Sequence, residues 1–266
     1  MEFETLFKIS TTSMRINGSH PDLKKNLFWK IQLTAITINF VSCLMLLLVS
    51  LFLYDIPSRN YEESCKNTIV TIVGTIFIFK IYILLKHQNS IKYLINTMNE
   101  DFKLFEQLCE EEKIIMRDYA QRGVKVCYIW LIGAVSTSAP FALKAFILMA
   151  YKYWHGEFEL VPMFNLRFPG VIEEYKYDPI VYYPFFLASF LYAALCSTIY
   201  IGFDPLIGIF LLHSSGQLDV LSTRILNIFN ETSDREDIER KLKSIIIKHQ
   251  QIYRLLMMFI DNFLLP

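Results

Sequence analysis

The chain is short of charge for its length. Of its 266 residues, 20% are Asp, Glu, Lys or Arg and 53% are hydrophobic, and the mean hydropathy is +0.34. Soluble domains carry about 25% charge, so an ordinary water-exposed globule is excluded. Catalytic signatures are missing as well: there is no GxSxG, GxGxxG, P-loop or HExxH. The five histidines, at 20, 87, 155, 213 and 249, are scattered without metal-ligand spacing. The five cysteines, at 43, 65, 109, 127 and 196, contain no CxxC. The expectation is therefore no enzyme, no metal, no cofactor and no disulfide, and no nucleic-acid partner.

What the sequence has instead is long apolar runs. Residues 31–53 are 23 positions without one charge, enough at about 1.5 Å per residue to cross a hydrocarbon core of about 30 Å. Residues 68–85 form a second run interrupted only by Lys80, and 126–149 a third interrupted only by Lys144. Each lysine is near an end of its run, from which a side chain can snorkel to the headgroups. A fourth run, 180–212, exceeds the bilayer requirement by about ten residues. It contains Asp204-Pro205. With a span over 180–204, Asp204 falls at an interface and Pro205 marks where the helix leaves the lipid, because proline cannot donate to the carbonyl four residues back.

Loop charge sets the orientation. Lys and Arg number five in 1–30, six in 86–123 and six in 214–251, against two in 54–67 and three in 150–179. This bias predicts a cytoplasmic N-terminus, with the 54–67 and 150–179 connections outside. The first run is too long for an h-region and follows thirty mostly polar residues, so no cleaved leader is expected. The sequons Asn17-Gly18-Ser19 and Asn230-Glu231-Thr232 then fall inside and are read as chance matches.

The connections carry their own patterns. Outside, Tyr151, Tyr153, Trp154, Phe158 and Phe164 read either as an interfacial aromatic belt or as a lid over a cavity. Inside, Ile91, Leu94, Ile95, Met98, Phe102 and Phe105 recur at helical spacing across 86–123, and Glu110, Glu111 and Glu112 suit a solvated helix face. Beyond Ser214 a stripe of Leu218, Leu221, Ile225 and Ile228 continues the fourth helix. Ser233 with Glu236 has capping-box spacing for a new helix. That helix would bury Ile238, Leu242, Ile245, Ile246 and His249. The result is a helical hairpin over 205–251 whose apolar stripes need covering, with a fifth span beginning in 252–266.

The stretch D204-P-L206, then G208, H213, G216-Q217, L221 and R224-I-L226 resembles the end of the fourth helix of insect odorant receptors, moth members in particular. VYYPFFLASFLYA at 181–193 is similar to the entry of that helix, and HQQIYRLL at 249–256 to the start of the fifth. The resemblance implies an all-α polytopic bundle of seven spans, of which four to five are present. It also implies a ligand-gated cation channel formed as a tetramer with a common co-receptor subunit, in the plasma membrane of an olfactory neuron dendrite. An odorant cavity in the outer half of the bundle and a cytoplasmic anchor where subunits meet belong to the same expectation. Ending in FIDNFLLP, the chain reads as a fragment stopping within span five.

Depth and face nominate the ligand wall: Val73, Ile76 and Phe77 from span two, Thr137, Phe141 and Lys144 from span three, and Tyr183, Phe186 and Phe190 from span four. Aromatic and aliphatic walls with one or two hydroxyls suit a small volatile hydrophobe. Anchor contacts are expected from Leu218, Leu221, Ile225, Ile238, Leu242 and Ile246. Three other classes stay open: a gustatory receptor channel subunit, a multi-span transporter and a membrane acyltransferase. A transporter should show an internal repeat, and none is visible.

Overall fold

The computed structural model describes residues 2–231 and 234–263, and among them there is no strand. Thr232 of the second sequon and Ser233 of the expected capping box lie outside the described residues. Helices α1 (Phe3–Leu6) and α2 (Lys8–Ile16) precede α3 (Leu27–Val49), whose last turns widen into a π-helix at Ser50–Asp55. Then come α4 (Tyr61–Lys86), α5 (Gln88–Lys103), α6 (Glu110–Trp154), the short α7 (Ile172–Tyr175), α8 (Pro179–Glu231) and α9 (Arg235–Phe263). Four of these, containing the four apolar runs, are long and apolar enough to cross a membrane. The protein is a polytopic helical membrane protein.

The helix starts follow from local chemistry. The Asn26 side chain accepts from the Trp29 amide at 2.9 Å and opens α3, and Asn60 does the same for Glu63 at 3.3 Å in α4. Both satisfy amides that have no intrahelical partner. Residues 110–123, read as part of the 86–123 connection, continue unbroken into the third apolar run and through Pro140, giving a 45-residue α6. Likewise α8 runs 53 residues through Pro184 and Pro205.

Contacts along α8 give the register. Tyr182 meets Met149 at one end, Tyr119 donates to Asp219 at 2.6 Å further along, and Arg224 reaches Glu112 at 2.6 and 3.1 Å. α6 and α8 are therefore antiparallel over most of their length. α4 runs parallel to α8, with Tyr192 donating to the Val70 carbonyl at 3.3 Å and Lys80 to Asp204 at 2.6 and 2.8 Å. Glu112 is 6% exposed, so the acidic stretch is not wholly a solvated face: one of its three members is a buried helix-to-helix bond.

The 1–30 segment is folded into the bundle. Phe3, Phe7 and Met14 are buried, and Ser10 donates to the Gly202 carbonyl at 2.8 Å. A Cβ at Gly202 would lie 2.9 Å from Met14, so the crossing of α2 over α8 needs glycine there. Asn17 and Ser19 of the first sequon are fully buried and bonded to each other at 2.6 Å. A glycan has no room.

At the far end α8 and α9 form the expected hairpin. Leu221, Ile228, Ile245 and Ile252 are its core, with Leu218 and Leu242 packed against them. Ile238 is half-buried, whereas Ile225 and Ile246 point outward with Leu226 and Ile247, and His249, expected on the buried side, is exposed as well. The two helices thus cover part of each other's stripe and leave the rest open. Asp101 of α5 ties the hairpin down, accepting from Lys248 at 2.6 Å and lying 2.9 Å from His213 Nε2. Burial opposes ionisation of Asp101, yet the bonds from His213 and Lys248 prevail and hold its carboxyl below the ordinary aspartate value.

Lys80 does not snorkel. Its ammonium and the Asp204 carboxylate are 14% and 11% exposed and satisfy each other between α4 and α8. Removing one partner of such a pair leaves an uncompensated charge and costs about 3 kcal/mol or more, whereas replacing both by apolar groups is often neutral. Lys80→Met and Asp204→Leu should each melt earlier than the wild-type chain in detergent, and the double variant should recover most of the loss. Equal melting of single and double variants would refute the pairing.

Candidate ligand-binding site

A cavity of about 620 Å³ lies between α4, α6 and α8, within the range of small-molecule sites. Val70 and Val73 come from α4, Trp130, Thr137 and Phe141 from α6, and Tyr192, Cys196 and Tyr200 from α8. The α8 residues recur every four positions, which places them on one helix face. No Asp, Glu, Lys or Arg belongs to the wall.

Each side of the wall is held from behind. Tyr192 stacks on Phe40 with ring centroids 4.6 Å apart, and Phe40 stacks on Phe77 at 4.0 Å. The Tyr200 hydroxyl lies 3.4 Å from the Val73 carbonyl, and its ring faces the Lys80 ammonium at 3.8 Å. The ion pair thus sits directly behind the Tyr200 end of the cavity. At the other end Phe164 comes down from the 150–179 connection, 5.4 Å from the Phe141 ring and 6.3 Å from Tyr192.

That connection splits the two readings of its aromatics. Tyr151, Tyr153, Trp154 and Phe158 are exposed, as a belt requires, whereas Met163, Phe164, Leu166 and Phe168 are buried, as a lid requires. Tyr182 holds this buried segment by donating to the Val161 carbonyl at 2.7 Å, and Ser50 does so by accepting from the Arg167 amide at 3.0 Å. Beyond Phe164 a smaller cavity of about 110 Å³ lies between α3, α8 and the same segment.

Of the nine nominated wall positions, Val73, Thr137 and Phe141 line the large cavity. Phe186 lines the small one. Phe77 is 2% exposed but is turned into the Phe40 stack. Ile76, Lys144, Tyr183 and Phe190 are exposed on the outside of the bundle. Tyr192, Cys196, Ser197, Tyr200, Trp130 and Phe164 were not nominated. For α8 the signal was present as the i, i+4, i+8 series Tyr192, Cys196, Tyr200; expecting a cavity near the start of span four pointed two turns too early.

The family model described as 7tm odorant receptor matches residues 60–263, more than half of the chain. The chain belongs to the odorant receptor family. The match includes all of α4 through α9, hence the three helices that wall the cavity and the hairpin. Among curated proteins no match was found. In this receptor the resemblance drawn from D204-P-L206 and HQQIYRLL is thus carried by an independent family match over the same residues.

Gly74 is what lets Tyr192 reach α4. A Cβ there would lie 1.9 Å from the Tyr192 hydroxyl oxygen and 3.0 Å from Cζ, so Gly74→Ala must push the ring away from the Phe40 stack. The expected cost is about 1–3 kcal/mol, as for other overpacked sites. Because the worst clash is with the hydroxyl, the same change should cost less in a Tyr192→Phe background. A double-mutant cycle on thermal stability reads this coupling, and strict additivity would contradict it.

Proposed function

We propose that this chain is the odorant-sensing subunit of a heteromeric ligand-gated cation channel assembled with a common co-receptor, and that the cavity between α4, α6 and α8 receives a small volatile hydrophobe. The observation that carries this reading is the character of the wall: about 620 Å³, mostly aliphatic and aromatic, with hydroxyls and no formal charge. A charged metabolite would be left unpaired there. A neutral, largely hydrocarbon molecule loses nothing by entering. Val73, Thr137 and Phe141 are the proposed contacts that the sequence and the cavity share.

In this reading the N-terminus and the hairpin are cytoplasmic, the 150–179 connection is outside, and the protein resides in the plasma membrane of the sensory dendrite. Ile225 and Ile246, with Leu226 and Ile247, form an uncovered apolar side of the hairpin, which suits contact with the other subunits.

Co-expression of the complete receptor with a co-receptor subunit should give odorant-evoked cation current. Silence across a broad volatile panel, with normal surface expression, would contradict the proposal. Phe141→Ala removes apolar contact of roughly 1.5–3 kcal/mol and should raise the half-maximal concentration about tenfold or more. Tyr183→Ala, at a ring exposed outside the bundle, should shift it less than about twofold.

A further inference from the structure

The hydrogen-bond state of the cavity wall restricts which polar group a ligand can bring. Five wall residues carry hydroxyls: Thr137, Ser138, Tyr192, Ser197 and Tyr200. Each hydroxyl proton already has a backbone acceptor. Thr137 Oγ1 lies 3.0 Å from the carbonyls of Gly133 and Ala134, Ser138 Oγ 2.9 Å from that of Ala134, and Ser197 Oγ 3.0 Å from that of Ala193. Tyr192 and Tyr200 donate across to α4, at 3.3 Å to Val70 and 3.4 Å to Val73.

A hydroxyl offers one proton and two lone pairs. With the protons committed, what these five oxygens present is acceptor capacity. A ligand that only accepts must pull a proton away from a carbonyl, breaking one bond to make another. A ligand that donates adds a bond and breaks none. The competing donor on the wall is the Trp130 indole N–H, which has no hydrogen-bond partner among the described residues and sits on a half-exposed side chain.

We propose that the cavity selects neutral hydrocarbon ligands bearing a hydroxyl group, which donates to the side-chain oxygens of Thr137, Ser138 or Ser197, over isosteric ethers, ketones and esters that can only accept. This rests on the odorant-binding reading above and specifies its ligand class. One neutral hydrogen bond gained is worth about 0.5–1.5 kcal/mol net, so the preference should be about two- to twelvefold in affinity.

The test uses isomers of equal carbon and oxygen count, octanol and heptyl methyl ether, with octanone as a carbonyl comparator. Each competes with a fluorescent hydrophobe, aminoanthracene, bound to the receptor in lipid nanodiscs, with empty-nanodisc signal subtracted and concentrations corrected for partitioning. Octanol should displace the probe at a severalfold lower corrected concentration than either comparator. Thr137→Val, nearly isosteric, and the Ser138→Ala/Ser197→Ala pair should each shrink that ratio, and together bring it near one. Trp130→Phe removes the competing donor while keeping an aromatic ring and should widen the ratio. Equal displacement by octanol and the ether, or tighter binding of the ether or ketone, overturns the hydroxyl preference and leaves the odorant-binding reading standing. No displacement by any of the three overturns the hydroxyl preference, and the odorant-binding reading falls with it only where the broad volatile panel is silent too.

Discussion

The antiparallel contact between α6 and α8 is the constraint on which the remaining architecture depends. It extends from Tyr182 against Met149 to Arg224 against Glu112, and everything else is laid on α8. The N-terminal α2 crosses it at Gly202, α4 runs beside it from Tyr192 to Asp204, and α9 folds back along its last turns. In lipid, backbone groups are satisfied within each helix, so association rests on close packing and on polar bonds between helices. The bonds here join different partners at different heights: Tyr182 to the 150–179 connection, Tyr192 and Asp204 to α4, Arg224 to α6. Such a spread fixes the rotation of α8 about its own axis as well as its position. The cavity exists because α4 and α6 flank the same face of α8 where Cys196 and Ser197 present small side chains.

Much of this fold was legible because the bilayer imposes length and composition on each crossing helix. Four apolar runs became four long helices, the hairpin appeared where the stripe continued, and the family resemblance was met by a match over residues 60–263. Helix ends were less legible. Pro205, read as the point where the fourth helix leaves the lipid, does not end it; a long helix tolerates the loss of one backbone bond when neighbouring helices hold both sides of it, and α6 and α8 run through Pro140, Pro184 and Pro205. The burial of α1 and α2 was not anticipated either, although Phe3, Phe7 and Met14 recur at i, i+4 and i+11 on one helix face; they fill a gap beside α8.

At the site, composition was legible and position was not. Val73, Thr137 and Phe141, nominated by depth and face, line the large cavity. Tyr183 and Phe190 miss it because α8 is rotated so that Tyr192, Cys196 and Tyr200 face inward. In a helix that is apolar all round the series Tyr192, Cys196, Tyr200 is one stripe among several, and the rotation is set by partners such as the Val70 carbonyl, which lies 122 positions away. Lys80 was misassigned for the same reason. Alone, a lysine near the end of an apolar run reaches for headgroups. With a carboxylate 124 positions away in sequence and 2.6 Å away in space, it does not.

The pair between Lys80 and Asp204 also explains how a cavity with an uncharged wall can sit beside two formal charges. A lone ammonium behind Tyr200 would draw water or an anion toward the wall, since isolated charge in an apolar surrounding is costly. Asp204 removes the net charge, and the Tyr200 ring lies between the ammonium and the cavity at 3.8 Å, using its negative face for the remaining field. Tyr200 thereby presents hydrocarbon and one committed hydroxyl to the cavity while facing charge on its other side. Asp204 is four residues from Tyr200, about one turn along the same helix, and Pro205 follows it. The aspartate that looks stranded in the apolar run is thus the counter-ion that keeps the adjoining cavity neutral, placed where α8 passes from the cavity toward the hairpin.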